Sequence, residues 1–230
     1  MELQQALKNV SKKFIPILAI SDSINDYIAI DLSINNTKLA EQLHTNSTSQ
    51  DWEKFMEDYL KSSGKKVAFG GYLEHRFLYE RSEYFTQDNS ENKRNRHLGI
   101  DLWCPKNTGV LAPYDGVVHS FANNKNHGDY GPTIILEHEI DNSLFYTLYG
   151  HLSLESIQVI EIGQLIKKGQ EFARLGGSVV NGDYAPHLHF QLIKNIEGKL
   201  GDYPGVCSLH DLEYYSNNCP DPTILLNLYK

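Results

Sequence analysis

Two stretches near the N-terminus repeat apolar residues every three to four positions. Leu3, Ala6, Leu7, Val10 and Phe14 would share one helical face, and so would Trp52, Phe55, Met56, Tyr59 and Leu60. Thr48-Ser-Gln-Asp51 reads as the start of the second helix and Ser62-Ser63-Gly64 as its end. Between the helices, residues 26–34 alternate, with Ile28, Ile30 and Leu32 on one side, which predicts a strand. After Lys66 the period falls to two. Strands are expected over 116–121, 133–140, 144–149 and 187–193, separated by turn-forming runs at 123–128 and 141–143. No long helical pattern interrupts residues 109–194. The pattern therefore predicts a mainly β chain (α+β overall) whose strands pair as antiparallel hairpins. Residues 1–65 read as a small α+β extension and 66–230 as the main domain, with a tail after Gly198 wrapping the outside of its core.

Composition narrows the function. Of 230 residues, 40% are hydrophobic and 22% charged, which suits a packed globular core. A formal charge of -8 argues against a nucleic-acid surface and gives no help in adhering to anionic polymers or acidic lipid. No apolar run approaches the roughly 18 to 20 residues of a membrane span. The apolar run 14–20 is too short and wrongly flanked for a secretory signal, so the expectation is a cytoplasmic chain unless a signal has been removed. Cys104, Cys207 and Cys219 are an odd number without a CxxC pair. They read as reduced thiols, with a Cys207–Cys219 bridge as the alternative.

The chemistry concentrates in three segments. In Arg96-His97-Leu98-Gly99-Ile100-Asp101-Leu102-Trp103, strand alternation sets His97, Gly99 and Asp101 on one side and sends Leu98, Ile100 and Leu102 into the core. Glycine between an imidazole and a carboxylate leaves room for a third group. In Ala185-Pro-His187-Leu-His189-Phe-Gln191-Leu192 the same alternation aligns His187, His189 and Gln191. Such a histidine pair can serve one metal, or one member can bind metal while the other acts on its water. Two histidines and a carboxylate suit zinc, whose catalytic sites use three protein ligands and keep a fourth position open. His151, in Tyr149-Gly-His151-Leu152, is a candidate catalytic imidazole. His44, His75, His119, His127, His138 and His210 lack such partners and read as surface or structural.

From about Gly70 to Lys194 the chain resembles the lysostaphin-type (LytM-like) zinc endopeptidases. The resemblance is carried by His97-Leu-Gly-Ile-Asp101, Tyr149-Gly-His151-Leu152 and Ala185-Pro-His187-Leu-His189-Phe-Gln191. The segments 112–118 and 163–170 are similar to hairpins the family places around its sheet. The resemblance implies a barrel-like antiparallel core and one Zn2+ per chain bound by His97, Asp101 and His189. It implies that His151 and His187 flank the water on the metal and supply the proton transfers, since no HExxH glutamate is present. The implied substrate is a peptide, or the cross-bridges or stem peptides of peptidoglycan. Two positions depart from the family: Asn181-Gly-Asp-Tyr-Ala185 replaces a Ser/Thr-Gly-rich loop, and Gln191 stands where an acidic residue is usual. The alternative is a non-catalytic zinc-binding module that regulates another hydrolase, against which the complete set of five side chains stands. Phosphate transfer on neighbouring histidines has no use for Asp101.

Overall fold

In the computed structural model, residues 3–43, 46–81 and 92–228 are described. His44 lies outside them. In chain order the elements are α1 (Leu3–Val10), β1 (Tyr27–Ala29), α2 (Thr37–Gln42), α3 (Ser49–Ser63), β2 (Val67–Gly70), β3 (Arg96–His97), β4 (Ile100–Trp103) and β5 (Gly109–Leu111). Then follow β6 (Gly116–Asn124), β7 (Gly131–Ile140), β8 (Ser143–Gly150), α4 (Leu154–Gln158), β9 (Leu165–Ile166), β10 (Glu171–Arg174), β11 (His187–Ile193), β12 (Val206–Cys207), α5 (Leu212–Asn218) and α6 (Thr223–Leu226). The chain is mainly β. Its principal sheet has eight strands in the order β1-β2-β4-β11-β8-β7-β6-β9, antiparallel except for β1 against β2. Two small ribbons, β5–β10 and β3–β12, flank it.

Local chemistry accounts for the boundaries. The Thr48 side chain accepts the Asp51 N–H at 3.2 Å, and the Asp51 carboxylate accepts the Thr48 N–H at 2.8 Å, a reciprocal cap on α3. Gly64, at φ 65°, closes the helix in the left-handed conformation. Asp141 and Asn142, at φ 48° and 61°, make the two-residue turn that sets the β7–β8 register. The first strand is shorter than the alternation predicts. Past Ala29, Glu74 accepts the Leu32 N–H at 2.9 Å and draws the chain off the sheet, while Ile30 and Leu32 stay buried.

The sheet is covered on both faces. On one, Ile100, Leu102, Ile134, Leu136, Tyr149, Leu188, Phe190 and Leu192 join the main core. Leu3, Leu7, Ile15, Ile17 and Leu18 enter the same cluster from the N-terminal side of residue 65, and Leu225 and Leu226 enter it from the tail. The tail is thus not confined to the outside: α6 packs against α1, and β12 pairs with β3. The opposite face carries two separate apolar clusters. One gathers Ile30, Leu32, Trp52, Met56, Ala68, Trp103 and Tyr184, and the other Leu98, Tyr130, Ile135, Leu148, Ile193, Tyr203 and Cys219. Leu98 therefore does not join Ile100 and Leu102 as strict alternation predicts. The chain leaves extended pairing at Leu98–Gly99, between β3 and β4, and the alternation resets there. All three cysteines are buried free thiols. No helix among the described residues is long and apolar enough to cross a membrane.

Two outcomes are expected. Thr48→Ala should destabilise the fold by about 1 kcal/mol in urea denaturation, the usual worth of a helix cap. His138, buried between Asp115 O and Thr147 Oγ1, is pushed down to about 4 by desolvation. An unfolded histidine protonates near 6.5, so this stabilisation is full above that pH and is lost as pH falls towards 4. The stability difference between pH 7.5 and pH 4 should shrink by about 3 kcal/mol in His138→Gln. An unchanged difference would show that His138 does not stay neutral in the native state.

Candidate metal centre

Between the two apolar clusters lies a cavity of about 260 Å³, and His97, Asp101, His151, His187 and His189 all line it. Strand register assembles them: His189 of β11 stands opposite Asp101 of β4 on one side and Gly150 of β8 on the other, next to His151. Gly99 is the clearance that lets the strands close. A Cβ there would lie 2.6 Å from the Phe190 carbonyl oxygen and 2.8 Å from Cε1 of the His189 ring. The third group that the glycine admits is thus His189 itself. His151 is held at φ 62°, a left-handed conformation that costs a non-glycine residue about 1–2 kcal/mol. Its backbone N–H donates to Tyr130 O and its carbonyl accepts from Gly176 N, both at 2.9 Å.

Hydrogen-bond acceptors assign the proton on each ring. His97 Nδ1 donates to Gly71 O at 2.9 Å, so its Nε2 carries a lone pair. The Gln191 amide nitrogen donates to Pro204 O at 3.1 Å and to Cys219 Sγ at 3.2 Å, which leaves its oxygen to accept from His189 Nε2 at 2.9 Å. The lone pair of His189 is therefore on Nδ1. These two unprotonated nitrogens face each other at 2.8 Å, and each lies 3.2 Å from Asp101 Oδ1. Among the described residues His97, Asp101 and His189 form a group whose ligand atoms lie within 4.8 Å of one another. Two lone pairs and a carboxylate at this range repel unless a proton or a cation lies among them. A proton is disfavoured, because burial pushes His97 down to about 4. Two imidazoles and a carboxylate are the donor set of a zinc site, so the residues fit the metal.

Asp101 stays ionised. Burial works against its charge, but the Arg76 guanidinium against Oδ2 outweighs burial and holds the carboxyl well below its ordinary range. Arg76 is fully buried, with Nη1 on Asp101 Oδ2 and Nε on Glu74, and its guanidinium carbon stands 5.5 Å above the Trp103 ring. It occupies Oδ2 and leaves Oδ1 for the centre. Gly71, at φ 105°, permits this, since a Cβ there would overlap Arg76 Nη2. The remaining histidines sit beside the triad with ring centroids 4.2 Å apart. His151 Nδ1 donates to Asn181 O and His187 Nδ1 to Ala185 O, both at 2.7 Å, so each keeps an unprotonated Nε2. Desolvation lowers the pKa of both, and each is neutral at neutral pH.

Residues 95–199 match peptidase family M23. They form a peptidase family M23 domain. The match begins at 95 rather than near Gly70, so β2, Gly71 and Arg76 lie outside it. A curated relative, an uncharacterized metalloprotease of Haemophilus influenzae, is 33% identical over 95 residues, which is 41% of this chain. The chain spans only 18% of that relative's length. Among solved structures, the catalytic domain of lysostaphin from Staphylococcus simulans aligns at 22% identity over 53% of this chain and 80% of its own, with a TM-score of 0.37. A zinc-containing peptidase from Vibrio cholerae aligns at 30% identity over 45% of this chain and 31% of its own, with a TM-score of 0.35.

Sequence reasoning passed over Tyr130 and Tyr203, placed Trp52 only on a helix face, and matched Arg76 only loosely to an upstream arginine of the family without giving it a partner. Arg76 lies 25 residues before its partner, and no spacing rule reaches that far. Gln191, read as a departure from the family, turns out to orient the His189 ring. Gln191→Met should weaken zinc binding about ten- to a hundredfold, measured by competition with a chromophoric chelator. Unchanged affinity would show that the ring is held by packing alone.

Proposed function

We propose that the chain is a zinc-dependent metalloendopeptidase, with His97, Asp101 and His189 holding the metal and His151 and His187 handling protons. The observation that carries this reading is the pair of facing lone pairs on His97 Nε2 and His189 Nδ1, 2.8 Å apart beside Asp101, inside a peptidase family M23 domain. Zinc bound there would polarise a scissile carbonyl and acidify a water ligand.

The protein supplies the rest. Arg76 fixes the Asp101 carboxylate, and Gly71 O and Gln191 Oε1 fix the rings of His97 and His189. Carbonyls on Nδ1 of His151 and His187 leave Nε2 of each ring to accept a proton. One imidazole accepts the proton of the attacking water at its Nε2 and returns it to the departing amine, and the other ring, neutral beside it, can take up a proton in the same way. The stacking of His187 on Trp103, with centroids 5.6 Å apart, keeps water off one ring face. Peptides, among them the cross-bridges and stem peptides of peptidoglycan, are the candidate substrates.

His189→Ala should lose both zinc and cleavage. His151→Ala should retain one zinc per chain, by elemental analysis, and lose turnover by at least about a hundredfold. Mass-spectrometric mapping of products from purified muropeptides and a mixed peptide pool, with and without chelator, identifies the bond. A fully zinc-loaded protein that cuts none of them would overturn the hydrolase assignment.

A further inference from the structure

The cavity is not built by the M23 domain alone. Leu32 and Trp52 stand in its wall together with Leu78, Trp103, Tyr184 and Ala185. These six belong to one apolar cluster, and three of them lie upstream of residue 95. The cavity lining also carries the charged residues Arg94, Asp129, Lys199 and Asp202.

Trp52 is locked in place. Ser49, one helical turn earlier on α3, donates to Asp183 Oδ1 at 2.6 Å, which ties the helix to the loop that leads into β11. Tyr59, two turns later, donates to Ala29 O at 2.9 Å and ties the same helix to β1. The Trp52 ring packs 6.3 Å from Phe55 and 6.1 Å from Phe77. Its indole N–H is buried and meets no hydrogen-bond acceptor. A buried donor without an acceptor costs about 1–3 kcal/mol.

We propose that Leu32 and Trp52 determine specificity: they form a wall that selects substrates with a bulky apolar side chain beside the scissile bond. The proposal deepens the hydrolase reading and rests on it for the position of that bond. Aromatic and branched residues would bury their side chains against Trp52, Leu32 and Trp103. Glycine and alanine would leave the wall unused.

Binding can be read apart from hydrolysis. The chain has two tryptophans, Trp52 and Trp103, and both line the cavity, so intrinsic fluorescence reports its occupancy. Full-length protein, zinc-loaded and separately chelated, would be titrated with pentaglycine and with the same peptide carrying a central phenylalanine. The phenylalanine peptide should bind at least about tenfold more tightly, as burial of one such side chain provides. Trp52→Ala should erase that preference, while Trp52→Phe, which keeps the wall and loses the N–H, should restore most of it. Both variants should keep one zinc per chain. In a peptide pool, wild-type cuts should cluster beside aromatic and branched residues, and those of Trp52→Ala should spread to small ones.

Equal binding of the two peptides by wild type would overturn the proposal, and so would equal losses for both peptides in Trp52→Ala. If the phenylalanine peptide binds selectively but nothing is cut, the hydrolase reading falls and the apolar wall stands. If both peptides are bound and cut alike, the hydrolase reading stands and the wall falls. The wild-type titration needs no variant, so a misfolded Trp52→Ala leaves the question answerable.

Discussion

Everything at the centre depends on keeping protons out of a space about 3 Å across. Each of the four imidazoles gives its one N–H to an acceptor on the outside: Gly71 O, Asn181 O, Ala185 O and Gln191 Oε1. What remains on the inside is four lone pairs and a carboxylate. Burial disfavours a proton on His97, His151 and His187, and Arg76 keeps the carboxylate ionised from behind. The fold thus holds a proton-poor hollow whose donors suit a metal cation, and strand register fixes where those donors stand.

That arrangement explains why the second face of the sheet is so heavily covered. Strands carrying histidines at alternate positions would ordinarily leave them in solvent. Instead, two apolar clusters close over β4 and β11 from either end, and the seven residues of β11 are all buried. One cluster is built largely by residues 30–78, and the other takes Tyr203, Cys207 and Cys219 from beyond residue 199, so the family-matching core draws material from both flanks.

The sequence disclosed the chemistry more fully than the architecture. His187 and His189 could be aligned from strand period alone because β11 is regular, and α3 was bounded correctly because its caps are local; His97, on β3, reaches Asp101 across the break at Gly99. Leu98 was misplaced because the chain breaks its pairing at Gly99, which no period reveals. Arg76, Trp52 and Tyr203 were illegible for another reason: their partners lie far off in sequence, and only the closed structure brings them to the cavity. Gln191 was visible as an oddity, but its purpose depends on Pro204 and Cys219, which no local pattern connects to it.

The way the chain's flanks meet has a kinetic consequence. Ile15 N–H bonds Leu226 O, the Leu111 N–H bonds Ile17 O, and α1 lies against α6, so segments more than 200 residues apart complete one core. Contacts of such sequence separation form late, after loops of great length have been closed. During synthesis the histidine-bearing strands can therefore emerge and pair well before the layer beneath them is finished. Until residue 226 has left the ribosome, the underside of the sheet lacks the part of its cover that α6 supplies, and that interval is when the nascent chain most needs shielding from its neighbours.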